Sequence, residues 1–285
     1  MHPLSRRILF VVSLGLLVLA LTLFFQGVWA GLVITNLKAS PAIPWAVALM
    51  ALFLWLGWKY VSGKWRPRST AAARRRYLRA SRVPGRVFRW ALLAGALSLV
   101  SLVGYWIVMF QLVKMPGNRL PDFSRYPLFT VALVLAMAAI IGAVVEEAGF
   151  RGYFQVALER EFRAPVAIVI SSLLMAPGHG LTQGFVWPTL LWYFFADVMF
   201  GVMAYLTNSI LPGIVIHGAG LLIFFVLVWP ADQARRLGAD GGGDGWFWIH
   251  TGQAIVFTTL AILAFRHLAR VTQGARARHA SGTDS

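Results

Sequence analysis

Two adjacent glutamates close a long apolar run and are followed within four residues by an arginine, in Glu146-Glu147-Ala148-Gly149-Phe150-Arg151. On a continuing helix, Glu147 and Arg151 lie four apart and can pair on one face. Glu146 then sits about 100° round from Glu147, without an intrahelical partner. A carboxylate so placed suits general-base work. The plainer reading is a helix end at the membrane interface, where two acids and an arginine meet headgroups.

Two histidines stand in other apolar runs, His179 in Met175-Ala176-Pro177-Gly178-His179-Gly180 and His217 in the run that starts near Ser209. Eight residues into its run, His217 lies roughly 12 Å deep at 1.5 Å per residue. Glu146 lies at comparable depth if its helix runs on to about Leu158. One histidine on an apolar face is ordinarily a packing residue. Two histidines and a glutamate at similar depth on three helices can position a water between a base and oxyanion stabilisers, or ligate a metal. Asp197, in Phe194-Phe195-Ala196-Asp197, is read first as structural support, either pairing with Arg151 or orienting a histidine. Ionisable groups at hydrocarbon depth are expensive, so their default reading is functional.

The elements that must position these groups are membrane helices. Of 285 residues, 59% are hydrophobic and 13% are charged, against about 25% charged in a soluble domain. Apolar runs near 8–27, 43–61, 90–113, 127–145, 188–207, 209–229 and 246–265 each meet the length of a span. A shorter run, 165–178, is a short span, a re-entrant piece or a buried core helix. The expectation is an all-α polytopic transmembrane bundle of about eight spans. It divides into N-terminal spans (1–126) with a basic loop at 63–89, a core (127–229), and a last span with a disordered basic tail (230–285). The Gly-rich 231–245 loop reads as flexible. The first thirty residues imitate a signal peptide, but their apolar stretch exceeds the usual h-region, so a retained first span is expected.

The net charge is +16, yet it is bunched. Ten cations fall between Lys64 and Arg89 without an acid, and Arg266, Arg270, Arg276 and Arg278 follow the last run. Basic segments of this kind stay in the cytoplasm. Eight spans with a cytoplasmic N-terminus gather Arg6, Arg7, the 63–89 loop, the 151–163 segment and the tail on one side. The same distribution speaks for anionic lipid at 63–89 and against nucleic acid. With no cysteine, disulfides, thiolate metal sites and cysteine nucleophiles are excluded.

The segment Glu146-Glu147-Ala148-Gly149-Phe150-Arg151-Gly152 resembles the first motif of the CPBP (CAAX protease and bacteriocin-processing, or Abi) intramembrane proteases: two glutamates, three residues, arginine. Ser171-Ser172-Leu173-Leu174-Met175-Ala176-Pro177-Gly178-His179 resembles the second, with Met175 in place of phenylalanine. Phe200-Gly201 through Thr207-Asn208-Ser209 to His217 resembles the third and fourth. The resemblance covers about residues 128–225. It implies that Glu146 activates a water, that Glu147 and Arg151 brace the helix, and that His179 and His217 hold the water and stabilise the oxyanion or, with Glu146, ligate a metal. Cofactor readings of none and of zinc both stay open, and no His-Glu-x-x-His motif is present.

One position departs from the family pattern. Leu221 stands four after His217, where the family's last motif has asparagine, a residue thought to assist at the oxyanion. Asn208 and Gln155 are the other carboxamides within sequence reach, and Gln155 is the better geometric choice on a continuing helix. Three functions follow: an intramembrane endopeptidase acting on a membrane-embedded or membrane-associated peptide or protein; a catalytically silent relative serving as scaffold or partner-binding protein; and a transporter or channel, which explains buried charge but not the motif order. Residue usage points to a bacterial inner membrane, with both termini cytoplasmic.

Overall fold

The computed structural model describes residues 3–115, 122–241 and 244–281. His2, Gly242 and Gly243 lie outside them. The protein is an all-α polytopic bundle, and no strand occurs among the described residues. The helices are α1 (Pro3–Ala39), α2 (Trp45–Val61), α3 (Ala71–Leu78), α4 (Gly85–Leu112), α5 (Leu128–Glu146), α6 (Gln155–Glu161), α7 (Ala164–Gln183), α8 (Trp187–Thr207), α9 (Leu211–Ile223) and α10 (Gly245–Ser281). A π-helical segment, Glu147–Phe154, joins α5 to α6, and a second, Phe224–Val228, extends α9.

By length and hydropathy, 6 described helical stretches can cross a membrane, and Trp45–Val61 and Ala164–Gly180 are shorter apolar helices. Together these are the eight apolar runs of the sequence. The ambiguous 165–178 run belongs to α7, a helix of 20 residues with Pro177 inside it, about 30 Å long at 1.5 Å per residue. Proline in the first turn opens α7, α8 and α9, where its missing N–H and fixed φ cost nothing. Asn208 ends α8 in the left-handed region at φ 50°, a conformation asparagine tolerates at helix ends. The backbone of α10 is helical through Ser281, past Arg270, where the sequence suggested a disordered tail.

In lipid, helix association rests on close packing and interhelical hydrogen bonds. The α4–α10 pair uses both. Ser101 Oγ lies 2.6 Å from Thr258 Oγ1, and Gln253 Nε2 donates to the Val100 carbonyl at 2.7 Å. Gly104 lets the α10 backbone come close: a Cβ there would stand 3.0 Å from the His250 carbonyl oxygen. On the other side of the bundle, α1 packs on α5 and α2 through Trp29, Ala46, Met50, Val134 and Ile141. It also packs on the π segment and α7 through Val11, Val18, Phe150, Phe154 and Met175.

The basic loop is docked rather than free. Arg74 is buried; its Nη2 donates to the carbonyls of Trp65 (2.6 Å) and Pro67 (2.8 Å). Arg79 pairs with Glu159 of α6, and its carbonyl accepts the Ile210 N–H at 3.0 Å. Ser81 Oγ donates to the Asn208 carbonyl (2.8 Å), and Ser209 Oγ donates to the Ser81 carbonyl (2.7 Å). The loop, α6 and the α8–α9 turn therefore share one end of the bundle.

The 231–245 loop, expected to be flexible, begins with a fixed turn. Asp232 is buried, accepts the Trp106 indole N–H at 3.1 Å and pairs with Arg235 at 3.1 Å. A carboxylate held by an indole and a guanidinium anchors the chain leaving α9, which a glycine-rich composition does not announce.

Candidate active site

Glu146 is the last residue of α5 and Glu147 the first of the π segment. A π turn is wider than an α turn, and such segments occur frequently at functional sites. It carries Arg151 into the bundle, where the guanidinium and both glutamates are buried. Four helices converge here: α5 with its π extension, α7, α8 and α9.

The contacts form a chain. Asp197 of α8 pairs with Arg151 Nη2, and Arg151 Nη1 lies 3.7 Å from Glu147 Oε1. The same Glu147 oxygen is 3.0 Å from His217 Nδ1. On the other side of the ring, His217 Nε2 is 3.5 Å from Glu146 Oε2. Both nitrogens of His217 thus face carboxylates, and a neutral imidazole can donate from only one of them. Phe200 stacks on the ring at 4.7 Å between centroids, fixing its plane. Arg151 Nη1 also contacts Met175 Sδ at 2.7 Å, which gives the methionine in the second motif a place against the guanidinium.

The expected Glu147–Arg151 pair is present, and Asp197 takes the first of its two expected roles, pairing with Arg151. Glu147 does more than brace its helix, because it also holds His217. Gly213 makes room for that contact: a Cβ there would stand 2.8 Å from Glu147 Oε2.

His179 stacks face to face on Tyr193 of α8, with centroids 3.8 Å apart and planes 10° from parallel. It lines one cavity of about 310 Å³ together with Glu146 and His217. The walls are largely apolar, with Trp29, Trp192, Phe200, Phe224 and Trp229 among them, and Leu221 is one of the lining residues. Gln155 does not serve near His217. Its amide donates to Glu159 (2.9 Å) and to the Gly201 carbonyl (3.1 Å).

One polar neighbour is not legible in the sequence. Gln26 of α1 donates from Nε2 to Glu146 Oε1 at 2.7 Å. An uncharged amide within an apolar run, 120 residues away in sequence, gave no signal beyond its own polarity.

For a metal, the donors facing each other are Glu146 Oε2 and His217 Nε2. The second nitrogen of His217 is occupied by Glu147. Among the described residues no three His, Asp or Glu side chains form a group that could hold a metal ion. This arrangement does not fit a zinc site with three protein ligands.

Residues 128–230 match the family model described as Type II CAAX prenyl endopeptidase Rce1-like. The match agrees with the CPBP resemblance and spans Glu146, Glu147, Arg151, His179, Asp197 and His217. Gln26 lies outside it. No curated protein and no solved structure matches the chain. The matched family is, by its description, one of prenyl endopeptidases.

Proposed function

We propose that this protein is an intramembrane endopeptidase of the CPBP type that cleaves a membrane-embedded or membrane-associated peptide or protein. The observation that carries the reading is the shared cavity: Glu146, His179 and His217, from three helices, line one space with apolar walls. Such a space suits an apolar stretch of substrate backbone, and apolar surroundings strengthen the polar contacts made within it.

In the proposed reaction a water enters beside Glu146. Its carboxylate takes the water's proton, and the hydroxide adds to the scissile carbonyl carbon. The carbonyl oxygen becomes the oxyanion and accepts hydrogen bonds from His179 and from His217, the latter as an imidazolium whose Nδ1–H donates to Glu147 and whose Nε2–H serves the oxyanion. When the C–N bond breaks, Glu146 returns the proton to the leaving amine. Arg151, Asp197 and Glu147 act at one remove: the first two fix Glu147, and Glu147 fixes the His217 ring.

The test is cleavage of a membrane-anchored peptide by the purified protein in liposomes. Wild type should cleave, and Glu146→Gln should not. Equal rates for the two would overturn the reading. The alternative, a catalytically silent relative acting as a scaffold or partner-binding protein, draws on Leu221, an apolar side chain in the cavity wall. It expects any cellular phenotype to survive Glu146→Gln.

The proposed setting is a bacterial inner membrane with both termini in the cytoplasm. Anionic lipid is the proposed partner of the 63–89 loop. A cleft of about 800 Å³ opens between this loop, α6 and the α8–α9 turn. It is lined by Lys64, Arg75, Arg76, Arg79, Arg82 and Arg160, with Glu159, already paired to Arg79, as its acid.

A further inference from the structure

The segment that matches a protease family begins at residue 128, yet one hydrogen bond to the proposed base comes from far outside it. Gln26 sits within α1, in the run Leu23-Phe24-Phe25-Gln26-Gly27-Val28-Trp29. A carboxamide at hydrocarbon depth is costly unless its polar atoms find partners. Gln26 turns inward, and its Nε2 meets Glu146 Oε1 at 2.7 Å. Gln26 and Trp29, about one helical turn apart, both line the cavity that holds Glu146, His179 and His217.

The bond has a geometric effect. A carboxylate on a two-fold terminal torsion can present either oxygen. With Oε1 engaged by Gln26, the other oxygen, Oε2, is the one turned toward His217 Nε2 at 3.5 Å. Among the described residues, Glu146 Oε2 is buried and has no hydrogen-bond partner of its own. It is therefore the oxygen left with an open lone pair for a proton. Without Gln26, either oxygen could turn toward His217, and the base would lose its fixed orientation.

We propose that Gln26 is a positioning residue for Glu146, so that α1 is part of the working site and the 128–230 segment is incomplete without it. The proposal rests on the protease reading given above. α1 is held in place for this role by packing on two sides of Gln26. Val11 and Val18 pack against Phe150, Phe154 and Met175, while Trp29 packs against Val134 and Ile141.

The experiment uses the full-length protein in liposomes with a fluorogenic membrane-anchored peptide. Gln26→Leu and Gln26→Met keep the size and remove the donor. Both should lower kcat by about 10- to 100-fold, the scale of a misaligned reacting group, with KM within about twofold of wild type. Their melting temperatures in detergent, compared with wild type, separate this from misfolding; the two variants differ in shape, so one local clash does not decide the result. Gln26→Glu supplies a donor only when its carboxyl is protonated. It should gain activity as pH falls, relative to wild type, a response that a purely structural role does not produce. If wild type cleaves, Glu146→Gln does not, and both apolar variants keep wild-type kcat, the positioning role is wrong and the protease reading stands. If wild type fails to cleave, or Glu146→Gln cleaves as well as wild type, the protease reading falls and the positioning role falls with it.

Discussion

Glu147 Oε1 lies 3.0 Å from His217 Nδ1 and 3.7 Å from Arg151 Nη1, so one carboxylate oxygen ties the imidazole of α9 to the guanidinium of the π segment. Glu146, the adjacent residue, faces the opposite nitrogen of the same ring. Neighbouring glutamates therefore flank one histidine, one within a buried ion network and the other on the cavity.

That division makes stability and activity separable. Asp197→Ala leaves the buried Arg151 guanidinium short of a partner, and breaking a buried pair typically costs about 3–5 kcal/mol. Thermal melting in detergent should fall clearly for Asp197→Ala. Glu146→Gln keeps shape and a polar group in the cavity and should melt within a few degrees of wild type while losing cleavage. A large drop in melting temperature for Glu146→Gln would mean that Glu146 is structural.

Leu221→Asn should raise the cleavage rate. Leu221 lines the cavity one turn on from His217 in α9, and Gln155 is engaged with Glu159 and Gly201. A single oxyanion donor is worth about 10²–10³ in rate, which sets the ceiling of the gain. Initial rates in liposomes measure it. A rate that falls, with the protein still folded, would say that the added amide does not reach the oxyanion.

Cysteines introduced at exposed positions such as Arg68 or Arg86 should resist a membrane-impermeant thiol reagent added to intact cells and react once cells are opened. The basis is the cation bias. The hydrogen bonds from the Ser81 region to Asn208, Ser209 and Ile210 add a corollary: an exposed site near the α8–α9 turn should label from the same side. Labelling from opposite sides would break the proposed topology.

Reversing charge in the basic cleft, with Arg76→Glu and Arg82→Glu together, should weaken retention of anionic lipid. A juxtamembrane cation contributes about 1 kcal/mol at an anionic surface, so two reversals should lower relative retention of phosphatidylglycerol over phosphatidylcholine at least 10-fold. Lipid co-purifying with each variant, analysed at low and at high salt, reports it. Equal retention would remove the lipid assignment.

Much of this site is legible in the chain because ionisable groups at hydrocarbon depth are rare. Glu146, His179 and His217 stand out on three apolar runs, and the four-residue spacing of Glu147 and Arg151 foretells their contact. The rest hides for physical reasons. Gln26 carries no charge and its partner is on another helix. The Glu147–His217 bond depends on how α5 and α9 pack, which spacing along one helix does not encode. Spacing along a regular α-helix misplaces Gln155. The wider turns of the π segment change the rotation per residue and send its amide to the Gly201 carbonyl. The glycines after Asp232 mask its anchoring role, and its partner Trp106 is 126 residues upstream.

The clasp between Ser81 and the Asn208–Ser209 turn also sets an order of events during synthesis. Its two sides are 127 residues apart in the chain. At about 5–20 residues per second, the upstream side leaves the ribosome roughly 6 to 25 seconds before its mate exists. For the first part of that interval the newborn basic segment has neither Glu159, 80 residues on from Arg79, nor the α8–α9 turn to grip. The apolar helices α1, α2 and α4 wait without that latch until the second half of the polypeptide arrives to close the molecule.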